Sequence, residues 1–142
     1  MSTKATPPWN SKSKAVKNMR PRLPSEHAEQ VRFVEWFRRT YPQHEIFAIP
    51  NGGKRDKITA ARLKREGATA GIPDLYIRGI NTWVEMKKQK GGVLSEFQKK
   101  YIKYFRSLGD NVIIGYGYED AKTKVIKIIN GGGVGGRGSI VF

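Results

Sequence analysis

Three residues of the chain have the types and spacing needed to hold a metal ion beside a reacting phosphate. Asp74 follows Pro73 at the start of an apolar run, and Glu85 and Lys87 stand two positions apart in a second run. Because side chains alternate along a strand, Glu85 and Lys87 share one face. If the two runs pair as strands through a turn, Asp74 and Glu85 meet at one end of the sheet. Two carboxylates there predict a hard-oxygen site for Mg²⁺ or Mn²⁺, with the backbone carbonyl of Met86 as a further ligand.

The chemistry expected of such a site is hydrolysis of a phosphodiester. A metal ion neutralises charge on the phosphate and lowers the pKa of a bound water. Lys87 would orient or activate that water, or stabilise the charge of the transition state. The same residues have an alternative interpretation, in which Asp74 caps the turn after Pro73 and Glu85 forms an ion pair with Lys87 on a solvent-exposed face.

The charge of the chain indicates a polyanionic partner. Its 142 residues include 27 Lys and Arg against 12 Asp and Glu, a net charge of +15 at pH 7. Nucleic acid is the commonest partner of such a chain. A membrane surface would require a basic helix with an apolar face, so we expect no membrane partner. Cysteine is absent, which excludes disulfides and thiolate metal sites and fits a cytoplasmic protein. We expect no small-molecule organic cofactor.

Cations are concentrated just before the proposed metal site and just after it. Asn51 and the two glycines after it can bring backbone amides close to a phosphate. The cationic side chains expected to contact DNA phosphates are Lys54, Arg55, Lys57, Arg62, Lys64, Arg65, Lys88 and Lys90. The alternative is a solvated charged face without a ligand.

Hydrophobic periodicity, caps and turn signals predict eight elements in the order α-β-α-β-β-α-β-α. Helices are expected at about 25–39, 57–66 and 95–108, and strands at about 45–49, 75–77, 82–88 and 111–115. A last helix is expected to pass through Ala121, Val125, Ile128 and Ile129. The buried stripe of the first helix should include Val31, Val34, Trp36 and Phe37. The prediction is an α/β domain with a mixed central sheet flanked by helices.

The domain is expected to span residues 25–130, between two segments of different composition. Residues 1–24 contain cations and prolines but no acid, which predicts a disordered basic arm. Residues 131–142 are expected to be a Gly-rich flexible tail. The last four residues are apolar, so they are a candidate for addition to a sheet edge.

The acidic and basic residues named above also resemble a known motif. Asp74 followed by Glu85-Met86-Lys87 is similar to the D…(D/E)-x-K motif of the PD-(D/E)XK nuclease superfamily, with Pro73-Asp74 as its PD. More narrowly, residues 25–129 resemble a VRR-NUC domain of the short stand-alone kind found in phages and bacteria. The supporting segments are Ser25-Glu26 with Gln30, Pro50-Asn51-Gly52-Gly53, Gly67 and Gly71 before Ile72-Pro73-Asp74-Leu75, and Leu94-Ser95-Glu96-Phe97-Gln98.

This resemblance implies a restriction-endonuclease-like fold and metal-dependent cleavage of DNA. It further implies a homodimer acting on branched DNA, such as four-way (Holliday) junctions, in a bacterial or phage-infected cytoplasm. It points to Glu26 as another metal-linked acid, with Glu29 as the alternative one turn away. It also points to Gln98 near the metal, whereas its position after Ser95 alone would suggest a helix-capping residue.

Three functions fit these features. The leading one is an endonuclease that uses Mg²⁺ or Mn²⁺ to cleave duplex or branched DNA. The second is a non-catalytic nucleic-acid-binding module with the same fold. The third is a basic RNA-binding protein, which the lack of an evident aromatic stacking motif disfavours.

Overall fold

The structure, a computed structural model, describes residues 20–50 and 56–132. The helices are α1 (Glu26–Thr40), α2 (Lys57–Arg65), α3 (Glu96–Ser107) and α4 (Tyr118–Lys127), and the strands are β1 (Ile46–Ala48), β2 (Leu75–Ile77), β3 (Thr82–Lys87) and β4 (Asn111–Tyr116). A 3₁₀ turn, Arg78–Ile80, joins β2 to β3, and a π-helical turn, Ile128–Gly132, follows α4. The helices and strands therefore follow the order expected from the sequence, and most of their ends agree within one or two residues.

The four strands form one mixed sheet in the order β1-β2-β3-β4. The pairs β1–β2 and β2–β3 are antiparallel, whereas β3 and β4 are parallel. The tight β2–β3 connection ends at Asn81, whose φ of 45° lies in the left-handed region that asparagine tolerates. The parallel pair is joined by α3, which supplies the crossover that parallel strands require.

The main core lies between one face of the sheet and the helices α1 and α4. Phe33 and Phe37 of α1 are fully buried, with Val84 and Met86 of β3 opposite and Val125 of α4 beside them. The predicted stripe of α1 was partly wrong. Val31 is 41% exposed and Phe33 takes its place, because the stripe that faces the sheet passes through Phe33, Trp36 and Phe37.

Helix α3 covers part of the other face of the sheet. The Phe105 ring stacks on Trp83 of β3 at a centroid distance of 4.3 Å. Alternation along β3 places Trp83, Glu85 and Lys87 together on this face. The acidic and basic residues singled out in the sequence therefore lie on the α3 side, away from the main core.

β4 lies at one edge of the sheet within the described residues. Side chains bond to its outward-facing backbone groups. The Val112 carbonyl accepts from Arg106 at 2.9 Å and the Ile114 carbonyl from Lys124 Nζ at 2.7 Å, while the Tyr116 N–H donates to Asp120 at 2.9 Å. These three contacts hold α3 and α4 against the ends and middle of the edge strand.

No helix among residues 20–50 and 56–132 is long and apolar enough to cross a membrane. The expected basic arm, apart from its last five residues, and the tail from residue 133 onward lie outside the described residues.

Candidate active site

The centre of the site is a pair of carboxylates placed by the pairing of β2 with β3. Leu75 is opposite Val84, so the next step of the antiparallel register puts Asp74 opposite Glu85. The Asp74 carboxylate accepts the Met86 N–H at 2.8 Å, and the Asp74 carbonyl accepts the Ile49 N–H at 2.8 Å. The structure thus brings together the two acids that the sequence analysis placed at one end of the sheet.

Burial makes both carboxyls hard to ionise, and the charge of Asp74 adds to this effect at Glu85. Glu85 is only 1% exposed, and burial, then the neighbouring Asp74 charge, raise its pKa to about 8. Burial also raises the pKa of Asp74, although the hydrogen bond from Met86 opposes this. The nearby Lys87 charge lowers both pKa values, but it does not offset the burial. With Lys87 as the one nearby cation that lowers these pKa values, full ionisation of both carboxyls requires further positive charge.

Lys87 lies inside the fold beside this pair. Its Nζ is 3.8 Å from Glu85 Oε1, and the side chains of the two residues are 11% and 2% exposed. The alternative that Glu85 and Lys87 form an ion pair on a solvent-exposed face is therefore wrong: the pair exists, but it is buried. The Lys87 carbonyl accepts the Gly117 N–H at 2.9 Å, which ties the end of β3 to the start of α4.

Gln98 joins the start of α3 to the carboxylate pair. Its Oε1 accepts the Ser95 N–H at 2.8 Å, while Ser95 Oγ accepts the Gln98 N–H at 3.1 Å, which completes a capping box. Its Nε2 donates to Glu85 Oε1 at 2.7 Å. The sequence analysis treated the capping role and the site role as alternatives, but opposite ends of one amide fill both.

The two acids of α1 have different surroundings. Glu29 is 2% exposed, and its carboxylate accepts from Gln89 Nε2 at 2.7 Å and from the Tyr118 N–H at the start of α4. Because α4 has no side-chain cap of its own, Glu29 supplies one from a distant part of the chain. Glu26 is half-buried, and its charge contributes to raising the pKa of Glu85. Glu26 therefore lies within electrostatic range of the pair, whereas Glu29 has a structural role.

The donor set of the pair fits a hard divalent cation. Glu85 Oε2 is buried and has no hydrogen-bond partner among the described residues. Over the same residues there is no group of three or more His, Cys, Asp or Glu that could hold a metal. A cation here would have two carboxylates as its main protein ligands, and Mg²⁺ is commonly held by one or two carboxylates and several waters.

The described cations of the predicted DNA-binding set lie on the surface. Lys57, Arg62, Lys64 and Arg65 belong to α2, which buries none of its residues, and Lys88 and Lys90 are exposed after β3. The Arg62 side chain pairs with Glu66 at 3.0 Å. The predicted contributions of Asn51, Lys54 and Arg55 fall outside the described residues.

The sequence analysis missed a row of aromatic rings next to the acids. Phe47, Tyr76 and Trp83 stand opposite one another on β1, β2 and β3, and Phe105 of α3 continues the row. One aromatic residue in each of three successive strands was the available signal. This signal could not be interpreted without the strand register, because only the register shows that the three rings lie side by side.

Comparisons with known proteins bear on the fold. No family model matches the chain, and no curated protein matches it. A solved structure described as a VRR_NUC domain protein is similar, with 23% sequence identity and a TM-score of 0.62, over 77% of this chain and 91% of that one. The chain therefore has the fold of a VRR_NUC domain protein, as the resemblance of its motifs predicts.

Proposed function

We propose that the protein is a metal-dependent DNA endonuclease with a restriction-endonuclease-like core. The observation that carries this proposal is the pairing of the half-buried Asp74 with the buried Glu85 beside Lys87, where Glu85 Oε2 has no hydrogen-bond partner among the described residues. Ionising both of these carboxyls inside the fold costs free energy unless a cation compensates their charge. The VRR_NUC domain fold supports a nuclease-type domain.

The residues proposed to hold Mg²⁺ or Mn²⁺ are Asp74 and Glu85, with the Met86 carbonyl as a further ligand. The Met86 N–H points towards Asp74, and the carbonyl of a strand residue points to the same side as its N–H. Continuing the register places Pro73 opposite Met86. Because proline has no N–H, Pro73 cannot donate the strand hydrogen bond that the Met86 carbonyl would otherwise accept. Glu26 is proposed to add negative charge at longer range. The cation, when bound, supplies charge neutralisation on the phosphate and acidifies a water.

The remaining side chains have distinct proposed roles. Lys87 places a compact positive charge where the attacking water and the extra negative charge of the transition state would lie. Gln98 holds Glu85 Oε1 by its Nε2 and leaves Oε2 available for a ligand. Because the same amide caps α3, the orientation of Glu85 is tied to the start of that helix.

DNA is the proposed substrate, held through its phosphates. The exposed cations of α2 (Lys57, Arg62, Lys64 and Arg65), with Lys88 and Lys90, suit contacts to the backbone rather than to base edges. From the motif resemblance we further propose that the protein is a homodimer that prefers branched DNA, including four-way junctions, in a bacterial or phage-infected cytoplasm.

The test is cleavage of linear duplex, single-stranded, flap and four-way DNA in Mg²⁺, Mn²⁺ or EDTA. We expect Lys87→Ala to bind DNA but lose cleavage by at least about a hundredfold, and Asp74→Ala and Glu85→Ala to lose Mn²⁺ binding as well. Lys127→Ala, which removes an exposed lysine of α4, is the matched control and should cleave like the wild type. Metal-dependent DNA binding without cleavage by any form would instead indicate the non-catalytic module. Equal cleavage by Lys87→Ala and wild type would exclude this site.

A further inference from the structure

A continuous row of four aromatic rings crosses the sheet on the α3 side. The ring centroids of Phe47 and Tyr76 are 5.7 Å apart, those of Tyr76 and Trp83 are 4.5 Å apart, and those of Trp83 and Phe105 are 4.3 Å apart. The first three rings come from directly opposed positions on β1, β2 and β3. We call this set the aromatic row.

The aromatic row and the carboxylate pair occupy the same face of the sheet. Tyr76 is two residues beyond Asp74 on one strand, and Trp83 is two residues before Glu85 on the other. Since side chains two apart point to the same face, each ring is separated from its acid by roughly 7 Å along the strand. This spacing is about twice the roughly 3.4 Å rise per base of a stacked DNA strand. Phe47 is opposite Tyr76 on the neighbouring strand, roughly 5 Å further to the side.

The two ends of the aromatic row differ in their surroundings. At the inner end, Trp83 stacks on Phe105 with an interplanar angle of 13°, and its Nε1 donates to Asp110 at 2.9 Å. At the outer end, Phe47 is 45% exposed and contacts one aromatic ring within the described residues, that of Tyr76. The inner end is thus part of the packing between α3 and the sheet, whereas the outer end is open.

A cation lies beside the open end. The exposed Arg38 donates from Nη2 to the carbonyl of Ile46, the residue before Phe47, at 3.3 Å. A guanidinium has further N–H groups that can contact a phosphate. An exposed ring, a neighbouring guanidinium and a net charge of +15 favour a nucleotide over an apolar protein segment as the occupant.

We propose that Phe47 is a stacking platform for an unpaired base next to the cleaved phosphate. The inference rests on the proposed nuclease function and deepens it by naming the substrate class: DNA with at least one unpaired nucleotide beside the scissile bond. A base inside a continuous duplex is already stacked on both sides and cannot offer its face to the Phe47 ring. A base in a flap, a gap or a single-stranded overhang can do so at a lower cost of unstacking.

The experiment measures stacking without cleavage. A fluorescent purine analogue, quenched when it stacks, is placed either in a single-stranded overhang or inside a continuous duplex, and binding is followed in EDTA. The variants are Phe47→Leu, which removes the ring, and Phe47→Tyr, which keeps it. Tyr104→Leu is the matched control, because Tyr104 is an exposed ring of α3 (52% exposed) that contacts Phe105 at the inner end of the aromatic row, away from Phe47. Circular dichroism verifies that each variant is folded.

We expect Phe47→Leu to weaken binding of the overhang probe about tenfold and to abolish its quenching, with less than about a twofold change for the duplex probe. Phe47→Tyr and Tyr104→Leu should behave like the wild type. Unchanged overhang binding by Phe47→Leu, or an equal loss for both probes, would overturn the inference. If wild type and Phe47→Leu cleave with equal preference for unpaired DNA, the inference fails while the nuclease proposal stands. If the wild type cleaves nothing, the nuclease proposal fails and the quenching result still decides the stacking.

Discussion

Replacing Glu85 by Gln should make the metal-free protein more stable at neutral pH and remove much of its pH dependence. In the folded protein the pKa of Glu85 is raised to about 8, against 4.5 for an ordinary glutamic acid, mainly because the carboxyl is buried and then because it faces Asp74. Between these two pH values the folded state binds a proton that the unfolded state has released. The stabilisation is therefore fully present below the unfolded pKa and is lost as pH rises through the folded pKa.

The size of the effect follows from one proton. Between the unfolded pKa of 4.5 and the folded pKa of about 8, the free energy of unfolding falls by at most about 1.4 kcal/mol per pH unit. Between about pH 6 and pH 7.5 the wild type should lose about 2 kcal/mol, which corresponds to roughly 6 °C in Tm for a domain of this size. In Glu85→Gln the uncharged amide keeps an oxygen for Gln98 and gains an N–H that can face Asp74.

Thermal unfolding in EDTA across this pH range measures the difference. Glu35→Gln, which alters an exposed acid of α1, is the control and should follow the wild-type curve. Mg²⁺ added at about pH 7.5 should raise the Tm of the wild type, because a ligand that binds only the folded state stabilises it. It should not raise the Tm of Glu85→Gln, because that variant lacks one of the two proposed carboxylate ligands. Parallel Tm curves for wild type and Glu85→Gln would refute the reasoning, since they would show that the Glu85 carboxyl titrates normally.

Two further predictions concern the residues that hold the site in place. Gln98→Ala should lower the free energy of unfolding by about 1–2 kcal/mol, because it removes the cap of α3 and the donor to Glu85. It should also weaken Mn²⁺ binding measured by calorimetry, and unchanged Mn²⁺ affinity would contradict the role of Gln98 in positioning Glu85. Glu29→Ala should cost about 2–3 kcal/mol in urea denaturation, because it removes the buried acceptor of the Tyr118 N–H. A loss under about 0.5 kcal/mol would contradict the capping role of Glu29.

Local sequence signals were sufficient for the hairpin that places the two acids. The strands β2 and β3 are separated by a short turn with Gly79 and Asn81, so their pairing and register follow from nearby residues. Once the register is known, alternation decides which face carries Glu85 and Lys87. The spatial arrangement of the pair could therefore be predicted without a structure.

Contacts between distant segments could not be predicted in the same way. Glu29 bonds to the backbone of Tyr118, which lies 89 positions further along the chain. In the sequence, Glu29 is simply an acid in the first turn of α1 beside Glu26, and both are consistent with a favourable interaction with the helix dipole. Only the packing of α1 against α4 distinguishes them. The aromatic row was missed for a related reason, because the pairing of β1 with β2 spans the whole of α2.

The side-chain contacts along β4 have a consequence for self-association. An approaching strand would meet the guanidinium of Arg106, the ammonium of Lys124 and the carboxylate of Asp120 before it reached the backbone groups they occupy. Strand pairing would replace these charge-assisted hydrogen bonds with ordinary backbone hydrogen bonds, which are weaker, so the exchange would gain little free energy. Edge-to-edge strand pairing between copies of the protein is thus disfavoured along β4.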